Sequence, residues 1–376
     1  MTSERFVVRA GPVSASPPGG RHQPPLLVTL RTTTPEAVIH YTLDGTEPDL
    51  EAPVASASGV WLRSSTTLRA CAFADGWAPG PPLESHYEVA IPQWRVVEPS
   101  DQGDAVPHEV KAFLPGRDGR VMAAASLRGR LHADRGAWRE DGCALGAVAG
   151  WHILAVADGA GSSRLARVGA ESACSAARDA LERDLRELRP ASTGGFDEVP
   201  QTEDLIAVRA LLTGAVRAAI AEIERIAKAR SEDVDAFATT LLVALHRRWG
   251  GQDVVASVQV GDGAVCAATS DGVRLIGSGD AGEYAGETRF VTTAGIEQSL
   301  DHRVRFLMQA RVHLLAVMTD GVADDFFPSE ERMPNLLDAL RREAEYWPDL
   351  EGGLLDWLRY ERRGSNDDRT IAILMA

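Results

Sequence analysis

Two hydrophobic rhythms divide the chain. Between residues 164 and 188, Leu165, Val168, Ala173, Ala176, Ala177, Ala180, Leu181, Leu185 and Leu188 recur every three or four residues, which predicts an amphipathic helix. A polar break, PASTGGFDEVPQ, follows, and Leu205, Val208, Leu212, Val216, Ile220, Ile223 and Ile226 predict a second long helix. Apolar runs at 240–246, 254–260, 264–269, 273–276 and 313–318 predict strands, with helices near 330–345 and 350–360 and a closing strand at 370–375. Strands and helices segregated in this way argue for an α+β layered domain. Earlier runs at 26–31, 37–41, 60–63, 67–73 and 86–89 are broken by Pro and Gly and carry no helical period. They predict a small all-β sandwich. The Pro-punctuated stretch 91–118 is expected as a linker between a β module at 24–90 and a larger domain at 119–376.

Composition sharpens the division. Thirteen of the 20 prolines precede residue 101, consistent with a separate first module in a chain of 376 residues. The charge is 39 − 54 = −15, of which residues 1–100 carry 7 − 10 = −3 and the remainder −12. An acidic surface repels phosphate backbones and anionic lipid, so neither nucleic acid nor membrane is an expected partner. No apolar run reaches the ~18 residues of a membrane span, and the N-terminus lacks a basic start followed by an apolar stretch. Cys71, Cys143, Cys174 and Cys266 form no CxxC pair and read as small hydrophobes, which suits a reducing cytoplasm.

Asp-Gly occurs eight times, and alone it signals only a turn. Two copies differ. Asp158 ends the apolar run WHILAVADG and Asp320 ends VHLLAVMTDG, so each carboxylate sits at the end of a buried strand. Asp271 falls between two short strands and reads as a hairpin turn. In ADGAGSS the small residues allow a sharp turn that could bring the Gly159 carbonyl beside the Asp158 carboxylate. Glu140-Asp141 and Asp367-Asp368 add two acidic clusters. Converging carboxylates without His or Cys make a hard-oxygen site that prefers Mg²⁺ or Mn²⁺. The polar, Gly-rich segment 277–293 is expected as a mobile flap beside it.

Eight strings in order carry a resemblance: ASLRGRLH, RED at 139–141, VADGAGSS, FATTLLVAL, VGDGAV, GEYAGET, MTDGVADDF and NDDRTIAIL. Together they resemble the metal-dependent protein phosphatase 2C family, in particular its bacterial branch, over residues 119–376. The resemblance implies an α-β-β-α sandwich with two Mn²⁺ or Mg²⁺ ions at one end, and hydrolysis of phosphoserine and phosphothreonine in phosphoproteins. It implies attack by a metal-bridging hydroxide without a phosphoenzyme. Asp158, the Gly159 carbonyl, Asp320 and Asp367 would be metal ligands, with Glu140 and Asp141 binding directly or through water. Asp262 and Asp324 match positions that take a third metal. Two departures accompany the match. Ala160 stands where some relatives carry a proton-donating His, and His132 stands where relatives place a phosphate-holding Arg, with Arg135 close behind. The alternative is a pseudophosphatase, or a phosphoprotein-binding protein led by its N-terminal module. That module, with PEAVIHYTLDGTEPD, STTLRACAFADGWAP and SHYEV, resembles the Ig-like C-terminal domain of chitobiases and hexosaminidases over 24–90, where Trp61 and Trp77 are more readily packing aromatics than sugar platforms.

Overall fold

A computed structural model describes the protein except for residues 1–7, 23–25, 57–58, 63, 90–93, 117, 278–287, 327–328, 346 and 363; of 329–331 it describes the backbone alone. The chain divides into two compact units, Met1–Trp94 and Arg95–Ala376.

The first unit is all-β. Strands β1 (Val13–Ser16), β3 (Leu26–Thr32) and β5 (Val60–Leu62) form one sheet in the order β1-β3-β5. A second, β2-β7-β6-β4, joins β2 (Gly20–His22), β7 (Leu83–Val89), β6 (Thr66–Phe73) and β4 (Val38–Thr42). The two short strands before residue 23 escaped the hydrophobic reading because they offer few apolar positions. Val28, Leu30, Val60, Leu62, Leu68, Ala70, Tyr87 and Val89 meet between the sheets. Trp77 is exposed and Trp61 half-buried.

The second unit has four layers. One sheet, β10-β11-β12-β13-β16, comprises β10 (Gly142–Val148), β11 (Trp151–Ala157), β12 (Leu241–Trp249), β13 (Gln252–Val260) and β16 (Val304–Gln309). The other, β15-β14-β17-β18-β9-β8, comprises β15 (Gly272–Leu275), β14 (Ala264–Thr269), β17 (Val312–Met318), β18 (Arg369–Met375), β9 (Val121–Leu127) and β8 (Glu109–Pro115). Paired strands in both sheets are antiparallel. Helices α2 (Ala166–Glu187) and α3 (Thr202–Arg230) cover one outer face, and α6 (Ser329–Ala344) and α7 (Leu350–Trp357) the other.

Alternation along each strand feeds two cores at once. On β11, Ile153 and Ala155 face α2 and α3 while Leu154 and Val156 face the opposite sheet. Both faces being dry, β11 is apolar except at His152, which explains why WHILAVA reads as a nearly continuous run rather than as alternation.

Two expectations change. The stretch 91–118 is not wholly a linker: residues 109–115 form β8 and pair with β9 along its length. Its alternating exposed and half-buried positions are those of an edge strand, which carries a weak hydrophobic signal. Residues 95–106 also belong to the second unit. Val97 N–H donates to the Ala133 carbonyl, and the Arg167 guanidinium binds the Gly103 and Asp104 carbonyls. Of the expected flap 277–293, residues 278–287 lie outside the described residues, and Val291 is core: it is 1% exposed and its N–H donates to Thr239.

At the end of the sandwich where β11 begins, charge is buried between the sheets. His152 Nδ1 lies 3.1 Å from His246 Nδ1, and His246 Nε2 lies 3.2 Å from Asp253 Oδ1. Asp253 Oδ2 accepts from Arg120 at 2.9 Å and from the Val312 N–H at 2.6 Å, while His152 Nε2 reaches Asp118 at 3.3 Å. Burial alone would raise the Asp253 pKa, but bonds from His246 and Val312 and the charges around it hold it at about 2. Burial, reinforced by His246, lowers His152 to about 4.

Candidate metal centre

The opposite end of the sandwich collects the carboxylates. β11 finishes at Ala157 and presents Asp158; β17 finishes at Met318, and Asp320 begins the short helix α5 (Asp320–Ala323); β13 finishes at Val260, and Asp262 occupies the turn to β14. β11 and β13 finish at the same end because β12, antiparallel to both, lies between them, and β17 of the facing sheet finishes there as well. Asp158, Asp262 and Asp320 each offer a carboxylate oxygen, and the three oxygens lie within 4.8 Å of one another. The convergence depends on glycine. A Cβ on Gly263, whose φ is 98°, would stand 2.5 Å from the Met318 carbonyl oxygen. One on Gly129 would stand 2.2 Å from the Asp367 carbonyl carbon, so only glycine lets that loop rest on the Asp367-Asp368 peptide.

Hydroxyls fix the Asp158 backbone and the Asp141 carboxylate. The Asp158 N–H donates to Thr240 Oγ1 at 2.8 Å, and its carbonyl accepts from the Thr240 N–H and the Thr239 hydroxyl. Gly159 bridges Thr239, beside the Glu140 carbonyl. Asp141, 2% exposed, accepts from Thr319 Oγ1 at 3.0 Å. Thr319 in turn accepts from the Thr370 N–H; Thr370 Oγ1 and Ser126 Oγ lie 2.5 Å apart; and Arg139 donates to Ser126 and to the Asp141 carbonyl.

Crowding raises the acids together. Burial, then the Asp368 charge, pushes Asp141 to about 7; burial, then Asp262 and Asp141, pushes Asp320 to about 8. Asp158 rises strongly through burial and the charges of Asp141 and Asp320. Among the described residues, Asp141 Oδ1 and Glu140 Oε2 are buried without a hydrogen-bond donor. Buried carboxylate oxygens that repel one another and lack donors suit a divalent cation, and an all-oxygen set suits Mg²⁺ or Mn²⁺. Asp158, Asp262, Asp320 and Asp141 could hold it.

The remaining expected residues stand around this core. Asp262, expected at a third-metal position, is in the central trio. Asp367 is exposed, beyond the trio, and accepts the Asp368 N–H at 2.9 Å. Asp324 is also exposed, with its pKa raised by burial and by Asp262. His132 lies on α1 (Arg130–Arg135), with Nδ1 2.9 Å from Asp368 Oδ1 and Nε2 3.7 Å from Glu140 Oε2. Burial opposes its protonation, but Asp368 and Glu140 outweigh it and raise His132 to about 9. Arg135 is exposed, at the end of α1. The Thr288 hydroxyl donates to Asp262 at 2.7 Å.

Sequence reasoning assigned nothing to Thr239, Thr240, Ser126, Thr319, Thr370 and Arg139, and gave Asp368 only a place in an acidic cluster. Most lie in the quoted strings FATT, MTDG, RED and NDDRT, but a hydroxyl beside an Asp-Gly does not announce which carboxylate it will meet.

A family model described as protein phosphatase 2C matches residues 128–359, more than half of the chain, and one described as the chitobiase/beta-hexosaminidase C-terminal domain matches 17–82. The chain is similar to serine/threonine-protein phosphatase 3 of Escherichia coli (strain K12), 27% identical over 292 residues, spanning 75% of this chain and 98% of that one. Among solved structures it is similar to the Mycobacterium tuberculosis serine/threonine phosphatase PstP/Ppp, at 21% identity and a TM-score of 0.44, covering 68% of this chain and 98% of that one. It is also similar to a PstP catalytic domain in complex with two manganese ions, at 19% identity and a TM-score of 0.43, covering 71% of this chain and 98% of that one.

Proposed function

The chain belongs to the protein phosphatase 2C family, and from this we infer that it is a metal-dependent phosphatase that hydrolyses phosphoserine and phosphothreonine in proteins. The observation that carries the reading is the meeting of Asp158, Asp262 and Asp320 beside the buried Asp141. Two Mn²⁺ or Mg²⁺ ions suit this donor set, with Asp158, the Gly159 carbonyl, Asp320 and Asp367 as ligands and Glu140 and Asp141 binding directly or through water. Asp262 and Asp324 would serve a third. When bound, such ions polarise the phosphoryl oxygens and acidify a water at neutral pH.

The chain's own groups do the rest. Thr319 holds the Asp141 carboxylate, and Thr239 and Thr240 hold the backbone that carries Asp158. His132 carries a positive charge toward the site, and its Nε2–H is the donor for a phosphate oxygen, one bond where an arginine would offer a fork. Ala160 offers no proton, so protonation of the leaving alkoxide falls to solvent. The net charge of −15 argues against nucleic-acid or anionic-lipid partners, and no helix among the described residues is long and apolar enough to cross a membrane. Substrates of cytoplasmic serine/threonine kinases are the partners we propose.

p-Nitrophenyl phosphate tests the reading. Hydrolysis is expected with Mn²⁺ or Mg²⁺ and is expected to vanish in excess EDTA and return with added metal. Turnover that persists in the chelator rejects this chemistry.

The N-terminal unit is expected to be dispensable on a small aryl phosphate. Its acids serve its own turns: Asp44 accepts from Thr46, and Asp49 from Glu51 and Ala52. Because 95–106 belongs to the second unit, the informative deletion begins the chain at Arg95. Wild-type kcat/KM is expected from it; a folded deletion without activity would make the first unit part of the site.

A further inference from the structure

Asp368 is the most buried acid near the site that the reaction as derived leaves without a role. Its side chain is 1% exposed. Oδ1 accepts the Gly129 N–H at 2.6 Å and lies 2.9 Å from His132 Nδ1, while Oδ2 accepts the Glu140 N–H at 2.5 Å. Its own N–H donates to Asp367 Oδ1 at 2.9 Å. One carboxylate therefore joins three segments that are remote in sequence: the loop entering α1, the Glu140-Asp141 pair entering β10, and the turn entering β18. The other groups facing it belong to these same segments, with Glu140 3.7 Å beyond the imidazole.

We propose that Asp368 is a positioning residue that seats the His132 imidazole and the Glu140-Asp141 backbone against the metal centre. The proposal rests on the phosphatase reading. Its chemistry is specific to a carboxylate. Two acceptor oxygens meet two backbone N–H groups on different segments, and the negative charge meets the imidazole. An asparagine could satisfy one N–H, but its NH₂ would then face the other donor, and the partner for His132 would be neutral. Groups that orient a metal ligand or substrate contact typically change affinity or activity by ~10–100-fold when replaced.

The experiment compares wild type, Asp368→Asn, His132→Ala and the double variant in three assays: Mn²⁺-dependent p-nitrophenyl phosphate hydrolysis, calorimetric titration with Mn²⁺ alone, and thermal unfolding. Asp368→Asn is expected to lower kcat/KM by ~10–100-fold and to weaken Mn²⁺ binding by about 10-fold. His132→Ala is expected to lower kcat/KM mainly through KM. The double variant is expected to be no worse than Asp368→Asn alone, since both changes remove one unit. A folded Asp368→Asn protein with wild-type kcat/KM and wild-type Mn²⁺ affinity overturns the proposal, and so do losses that multiply in the double variant. If Asp368→Asn does not fold, His132→Ala decides: unchanged kcat/KM overturns the proposal and a raised KM upholds it. Absence of Mn²⁺-dependent hydrolysis in wild type would instead reject the phosphatase reading. The titration then still decides on Asp368, with weaker Mn²⁺ binding in Asp368→Asn upholding its positioning role and equal binding overturning it.

Discussion

Asp320→Asn is expected to lower kcat by at least ~10²-fold while leaving the fold intact, the scale of loss seen when a charge-stabilising group is removed from a preorganised site. The substitution keeps the shape and one oxygen but removes a formal charge from the trio with Asp158 and Asp262. It should also separate stability from function. Without metal, the folded carboxyl titrates at about 8 against 3.8 for the free group. The folded state therefore binds the extra proton between these values. This group's contribution to stability is full below pH ~3.8 and is lost as pH rises toward 8. Asp320→Asn removes that loss, so with chelator at pH 8 the variant should unfold at a higher temperature than wild type. Added Mn²⁺ should raise the wild-type midpoint and leave that of the variant nearly unchanged, because a cation stabilises only the state that binds it. A fully active variant, or one whose midpoint Mn²⁺ raises as it does in wild type, would remove Asp320 from the centre and direct attention to the other Asp-Gly pairs.

Asp253→Ala is expected to give the largest loss of stability, at the end of the sandwich remote from the chemistry. Its carboxylate is 0% exposed and faces His246, Arg120 and the Val312 N–H. Its removal leaves Arg120 Nη2 and the Val312 N–H without this acceptor, with Asp118 still bound at Arg120 Nη1, and breaking a buried pair in this way costs ~3–5 kcal/mol. For a unit of this size that corresponds to a drop in unfolding midpoint on the order of 10 °C. Activity per folded molecule should persist, because six residues of β11, at ~3.3 Å each, separate His152 from Asp158. The pH dependence has the opposite sign from that of Asp320. His152 titrates at about 4 when folded, below the usual 6.5, so its contribution is full above pH 6.5 and is lost as pH falls to 4. Asp253, held at about 2, adds a loss from ~3.8 downward. A midpoint within 2 °C of wild type in Asp253→Ala would show that the cluster contributes little.

Much of this protein is legible along the chain. The helix over 164–188 appears as α2, Ala166–Glu187, because one apolar stripe at 3.6-residue spacing must find a sheet to cover. The runs ending in Asp158 and Asp320 mark central strands because burial on both faces leaves them apolar apart from His152 and His313 near their starts. Edge strands are less visible. β8 has solvent on much of its surface, so its pattern merges with that of a linker, and its pairing with β9 is decided by the sheet.

The site divides along the same line. Which carboxylates are candidates follows from local sequence, since an acid before a glycine at the end of an apolar run is aimed by the strand that carries it. Which of them meet is a matter of strand order. Asp158, Asp262 and Asp320 lie more than fifty residues apart in sequence and converge because β11, β13 and β17 end at one edge of two packed sheets. Asp262 joins Asp158 and Asp320 for this reason, a meeting that its local sequence does not announce. His132 likewise could be placed by the family resemblance, but its partners Asp368 and Glu140 come from turns that only the assembled sandwich brings together. Periodicity records which face of an element is buried; it carries no information about which distant element supplies the other half of a hydrogen bond, and that pairing is what the tertiary structure decided.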